Sequence, residues 1–379
     1  RVITTDTALT NSNTPTIEGT AEVGSTVNLY NETQSATYVV TVESKTSEHT
    51  YDGTGSSLGY KIDGVFSPFL TFTPGNTYRF DQSDSSNGSH PLRFYLDAER
   101  STLYDTDVIT NGTPGQAGAY TEITISDTTP SELHFQCANH GYMGDAAYTS
   151  LGTSTADGSG NFSITPSYAL ADTSYNLIVK ATDLSGNTSS ASGVLNISVD
   201  TVTNTPSITT TTTLTSNSTP TIEGIAEPNS TINLINNGSS VGTATTNSSG
   251  TFVVTPSTVL ADGTYSLTVT ATDEAGNSSS SSALSITVDT AAPNITSLNA
   301  YSVLEGNTSI AALTANEAVS WSITGGADEA AFNINSTSGA LSFSFTPDYE
   351  TPVDSDSNNT YEVEVTATDS VGYIIAQTI

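Results

Sequence analysis

Apolar residues recur at alternate positions over short stretches, with polar turn residues between them. Tyr175, Leu177, Val179 and Ala181 share one face of a two-residue period, and Tyr265, Leu267, Val269 and Ala271 repeat it. Stretches this short, bounded by Gly, Pro, Asn and Asp, predict antiparallel strands of β-sandwiches. Between them, residues 32–149 carry further strand candidates: YVVTVES, GYKIDGV, LTFTPGNTYRFDQS, HPLRFYL, AYTEITIS and ELHFQC. Thr, Val, Ile and Tyr favour strands, and few stretches favour helix. The expected fold class is all-β, a tandem array of antiparallel β-sandwiches.

Part of the pattern is duplicated. TPTIEGTAEVGSTVNL at 14–29 matches TPTIEGIAEPNSTINL at 219–234, an offset of 205 residues. GSGNFSITPSYALADTSYNLIVKATDLSGN at 158–187 matches SSGTFVVTPSTVLADGTYSLTVTATDEAGN at 248–277, an offset of only 90, so the first copy holds 115 extra residues. The extra segment enters after Asn31, where the second copy has the turn sequence Asn236-Asn237-Gly238-Ser239-Ser240. An insertion at a hairpin tip leaves the host sheet intact. The domains expected are therefore a discontinuous sandwich of residues 1–31 and 150–201, an inserted domain of 32–149, a second copy of 202–290, and a C-terminal module of 291–379.

TPTIEGTAE, ATDLSGN and VDT resemble the bacterial Ig-like repeats of large secreted adhesins, over both copies. The C-terminal module contains Val303-Leu304-Glu305-Gly306, SWSITGGADEAAFNINSTSGALSF, Pro347-Asp348-Tyr349-Glu350 and Asp354-Ser355-Asp356-Ser357-Asn358-Asn359, then YEVEVTATD ending at Asp369. In that order these motifs resemble a bacterial cadherin-like repeat.

Charge sharpens the picture. Seven basic residues stand against 39 acidic ones, a net charge of −32, which argues against nucleic-acid binding. Such a surface repels itself unless cations sit on it. Calcium takes six to eight oxygens, mostly from carboxylates and carbonyls. Glu305, Asp348, Glu350, Asp354, Asp356 and Asp369 fall at expected strand ends. The cadherin-like resemblance implies that they gather at one pole and bind calcium between neighbouring modules. Asp183 and Asp273, in the ATDxxGN turns, and Asp200 and Asp289, in the linkers, are further calcium candidates, although Asp also caps turns without metal. Calcium would stiffen the chain into a rod, and its removal would let clustered carboxylates repel.

The inserted segment holds the only cysteine and the only methionine of the chain. His90 precedes one strand candidate, and Cys137, His140 and Met143 follow another in FQCANHGYMG, as Cys-x2-His-x2-Met. Two imidazoles and a thiolate in a plane with a weak axial thioether make a blue-copper site. Zinc also accepts Cys and His, and a buried Cys with a gap-filling Met needs no metal at all. The segment resembles a cupredoxin, which implies copper at His90, Cys137, His140 and Met143. His49 and His134 look less promising. The four histidines are too few for the trinuclear copper cluster of a multicopper oxidase.

No G-x-S-x-G elbow or P-loop is present, and no histidine falls in the host modules to complete a Ser–His–Asp site. The chain reads as a non-enzyme. One cysteine excludes an internal disulfide, and no run is long and apolar enough to span a bilayer. The expectation is an extracellular, bacterial cell-surface segment of an adhesin or fibre, stabilised by calcium and displaying the inserted domain for recognition or metal binding. The alternatives are a copper-binding or electron-transfer surface protein and a self-assembling filament subunit. Expected partners are calcium ions, neighbouring repeats or copies of the chain itself, and an unidentified surface ligand.

Overall fold

The computed structural model describes all 379 residues, almost entirely as strands and turns. They form two units: Arg1–Val202 with Glu274–Asn277, and Thr203–Asp273 with Ser278–Ile379. Each is built of β-sandwiches, so the fold is all-β.

In the first unit the host sandwich has two sheets. One runs Gly152–Thr155, Thr26–Asn31, Ser174–Thr182, Leu195–Val199 and Leu9–Thr10, and the other runs Val2–Ile3, Ile17–Thr20 and Asn161–Ile164. The alternating residues fill the space between them: Tyr175, Leu177, Val179 and Ala181 are all buried. In the second unit the same order recurs as Ser239–Thr245, Thr231–Asn236, Gly263–Thr272, Leu284–Val288 and Leu214–Thr215, facing Ser207–Ile208, Ile222–Ile225 and Thr251–Val254. There Thr231–Asn236 and Ser239–Thr245 join through Asn237 and Gly238, both at positive φ, as a two-residue hairpin requires. In the first unit the matching strands, Thr26–Asn31 and Gly152–Thr155, pair directly although a whole domain separates them in sequence.

That domain is a sandwich of a five-stranded and a six-stranded sheet. Its core is aromatic, with Phe72, Tyr78, Phe80, Phe94 and Phe135 fully buried beside Cys137 and Met143. Leu103–Tyr104, Val108–Asn111 and Asp145–Tyr148 are strands beyond those expected from alternation. The last of these pairs with Glu132–Cys137, so the loop carrying His140 and Met143 is the turn of a hairpin. The domain is seated firmly on its host. Phe69 and Tyr148 pack against the host core, Lys180 Nζ pairs with Asp127 at 3.0 Å, and Tyr168 donates to Glu132 at 2.8 Å.

Beyond the second Ig-like copy, two three-stranded sheets enclose Trp321, Leu341, Val363, Val365 and Ala367. They are Ser309–Ala312, Ala340–Phe343 and Phe332–Ile334, and Ser320–Gly325, Glu364–Thr368 and Ile374–Thr378.

Both Ig-like copies place a glycine where nothing larger fits. A Cβ on Gly19 would lie 2.1 Å from the Val2 carbonyl and 2.4 Å from the Phe162 ring, and on Gly224, 2.4 Å from the Ser207 carbonyl and 2.3 Å from Phe252. Gly19→Ala and Gly224→Ala should each destabilise their sandwich by about 1–3 kcal/mol, read as a lower urea midpoint. Gly193→Ala, which meets nothing within 4 Å, should stay within about 0.5 kcal/mol of wild type.

Candidate metal centre

The site in the inserted domain begins with strand register. Leu92–Tyr95 pairs with Glu132–Cys137, setting Leu92 opposite Cys137. His90, two residues before Leu92, therefore reaches the loop that follows Cys137. His90 Nδ1 lies 3.8 Å from Cys137 Sγ, and His140 Nδ1 lies 3.6 Å from it. One ligand atom from each of the three residues falls within 4.8 Å of the others. A metal bonded to sulfur at about 2.3 Å and to nitrogen at about 2.0 Å, with angles of roughly 110–125°, separates those ligand atoms by about 3.5–3.8 Å. The donors thus already stand at the separations of ligands sharing one ion. Cys137 and Met143 are completely buried, His90 is 9% exposed, and His140 is open to solvent. Met143 joins the core cluster that contains Cys137.

Hydrogen bonds hold the segments that carry the candidate ligands. The His90 carbonyl accepts from Tyr60 OH at 2.7 Å and from Gln82 Nε2 at 2.8 Å, and Gln82 Oε1 accepts from Leu92 N–H at 3.0 Å. Asn139 Nδ2 donates to the Ser89 carbonyl, tying the two loops together at 2.8 Å. Arg100 clamps the carbonyls of Cys137 and Ala138 at 3.0 and 2.8 Å. Burial, then the neighbouring His140, lowers the pKa of His90 and keeps it neutral, the form that ligates metal. Burial, then Cys137, pushes the Tyr60 phenol well up, so it remains a donor. His134 pairs with Glu132 at 3.2 Å and stays out of the cluster. His49, set aside on sequence grounds, is instead buried against the ligand loop, with Nε2 3.1 Å from the Met143 carbonyl.

The acidic residues of the C-terminal module do not gather as one group. Glu305, Asp348 and Glu350 meet at an exposed site. Asp369 meets Asp289 and Glu317, a residue that the motifs did not point to. Asp354 and Asp356 belong to neither group. Local backbone bonds fix this division. Asp369 Oδ1 accepts the amides of Val371, Gly372 and Tyr373, which holds it in its own hairpin, and Asp354 Oδ2 accepts Asn358 N–H at 2.6 Å. Asp369 Oδ2 and Asp354 Oδ1 are buried without a partner. Asp183 caps its own turn: its oxygens accept from Ser185 N–H, Asn187 N–H and Asn187 Nδ2, each at 2.8 Å. Asp200 follows Leu195–Val199 in the first unit, and Asp273, buried, follows Gly263–Thr272 in the second.

The family described as bacterial Ig-like domain matches residues 141–201 and 204–290. No curated protein sequence matches the chain. Among solved structures, a tetra-tandem repeat from the extending region of a large adhesion protein is 14% identical, covering 100% of this chain and 97% of that one at a TM-score of 0.26. Mouse cadherin-23 EC22-24 is also 14% identical, covering 83% and 94% at 0.26. At such scores the β-sandwich description rests on the strand pairing of this chain. No helix is long and apolar enough to cross a membrane.

Burial, then the carboxylates of Asp289, Asp369 and Asp262, raises the pKa of Glu317 above its ordinary 4.5. The folded chain therefore holds this proton more tightly than the unfolded chain, and Glu317 costs stability as pH climbs from about 4.5 through the raised value. In chelator, the unfolding midpoint of wild type should fall relative to Glu317→Gln across that window. Parallel pH profiles for the two proteins would contradict the assignment.

Proposed function

We propose that the chain is an extracellular segment of a bacterial surface adhesin or fibre whose tandem sandwiches display a copper-holding, cupredoxin-like domain. The observation that carries this reading is the convergence of His90 Nδ1 and His140 Nδ1 on Cys137 Sγ at 3.8 and 3.6 Å. Two imidazoles and one thiolate, with a thioether in the core cluster that holds the thiolate, are the donor types of a blue-copper centre. The host repeats support the surface setting, since residues 141–201 and 204–290 match bacterial Ig-like domains.

The residues divide the work. His90 and Cys137 would hold the ion from the buried side, with His140 closing the site at the surface, where a redox partner or an incoming ion has access. Met143, in the same core cluster as Cys137, would be the fourth residue to hold the ion. Gln82, Tyr60 and Asn139 keep the loops in place before any metal arrives, which lowers the cost of ordering them on binding. Copper bound there would supply one-electron exchange. Metal capture and electron transfer both suit the site, and neither requires the chain to be an enzyme.

A second element of the reading is calcium in the C-terminal region. The buried, partnerless Oδ2 of Asp369, set beside Asp289 and Glu317, favours it. Three carboxylates this close repel one another, and a divalent ion would supply the missing partner.

Elemental analysis of the native, undialysed protein tests the metal assignment. The expected result is about one copper per chain, together with calcium, and Cys137→Ser should lose the copper and the visible colour while retaining calcium. Zinc in place of copper would overturn the electron-transfer reading. Absence of both metals would overturn the metal centre itself.

A further inference from the structure

The segment Cys137–Gly144 hangs from a small number of buried bonds, and one of them comes from a histidine outside the converging donor set. His49 is 3% exposed. Its Nδ1 accepts the Tyr51 N–H at 3.0 Å. An accepting Nδ1 leaves the proton on Nε2, which then donates to the Met143 carbonyl at 3.1 Å. The same carbonyl accepts Tyr60 N–H at 2.6 Å, and the next amide, Gly144 N–H, donates to the buried Gln136 Oε1 at 3.0 Å. The imidazole has a built seat: it stands edge-on to Phe66 at 5.5 Å between ring centroids, and a Cβ on Gly59 would come within 2.4 Å of its Cδ2. A residue needed only to fill that space would be apolar. Here both ring nitrogens are used, and one is directed at the backbone of a thioether-bearing residue.

We propose that His49 is a positioning residue for the metal centre, fixing the backbone from which Met143 presents its thioether and so tuning the centre without touching the metal. Three of the chain's four histidines then serve one site, His90 and His140 as the imidazoles facing Cys137 and His49 as the support of the loop that carries His140 and Met143. The proposal rests on the copper reading above. Partners behind metal ligands of this kind set ligand orientation, and their loss typically weakens metal binding 10- to 100-fold.

The test compares full-length wild type, His49→Phe and His49→Gln, each loaded with Cu(II). His49→Phe keeps the ring and removes the donor. It should bind copper about tenfold more weakly in competition with a chelator, with a shifted thiolate-to-copper absorption band. His49→Gln, whose amide extends as far as Nε2, should restore both. If His49→Phe does not fold, His49→Asn takes its place, because its amide reaches only as far as Nδ1. Wild-type affinity and spectrum in the variant that lacks the donor would overturn the positioning role. Failure of wild type itself to take copper would overturn the copper reading, and this inference with it.

Discussion

The register that sets Leu92 opposite Cys137 is the constraint on which the candidate metal centre depends. A slip by one residue would turn the core face of a strand outward, removing Leu133, Phe135 and Cys137 from the interior together. Buried donors reinforce the register at the His90 carbonyl, where Tyr60 OH and Gln82 Nε2 both arrive. Gln82 also accepts from Leu92 N–H, so one side chain spans the residue that carries the imidazole and the strand that follows it. The three donors are thus held by the sandwich itself, and the aromatic core behind them is part of the site.

The insertion joins this domain to its host without breaking the host sheet. Thr26–Asn31 and Gly152–Thr155 pair across it just as their counterparts pair across a two-residue turn. The seat made by Phe69, Tyr148 and Tyr168 gives the inserted domain a fixed attitude on its host rather than a tethered one. A display role gains from this arrangement, since the exposed edge of His140 is then carried by a rigid element. In the second unit the dominant physical problem is different. Carboxylates are packed beside one another in a chain with few basic residues, and Asp369, with one oxygen buried and unpartnered, stands beside Asp289 and Glu317.

Much of this was legible in the sequence, for identifiable reasons. Two internal offsets revealed the repeat and the insertion, because sandwich strands keep their turn chemistry and alternation when copied. His90, Cys137, His140 and Met143 stood out because Cys and Met occur once each and His is scarce. What alternation could not show was which loops meet. His49 lies in a turn with no pattern of its own, and only the folded chain places it against Met143. Glu317 sits outside every motif, yet the hairpin after Thr368 brings Asp369 to it. The six acids expected at a single calcium pole separate for a related reason: Asp348, Asp354 and Asp369 are each held by amides of their own loops. Short strands such as Asp145–Tyr148 escaped notice because four residues of mixed character carry little periodicity.

The central claim is that His90, Cys137 and His140 share one metal ion. Anomalous diffraction at the copper edge, from crystals of the copper-loaded full chain, addresses it most directly. The account predicts a single strong peak within bonding distance of His90 Nδ1, Cys137 Sγ and His140 Nδ1. A loaded crystal with no peak there, or with copper bound only at surface carboxylates, would contradict it.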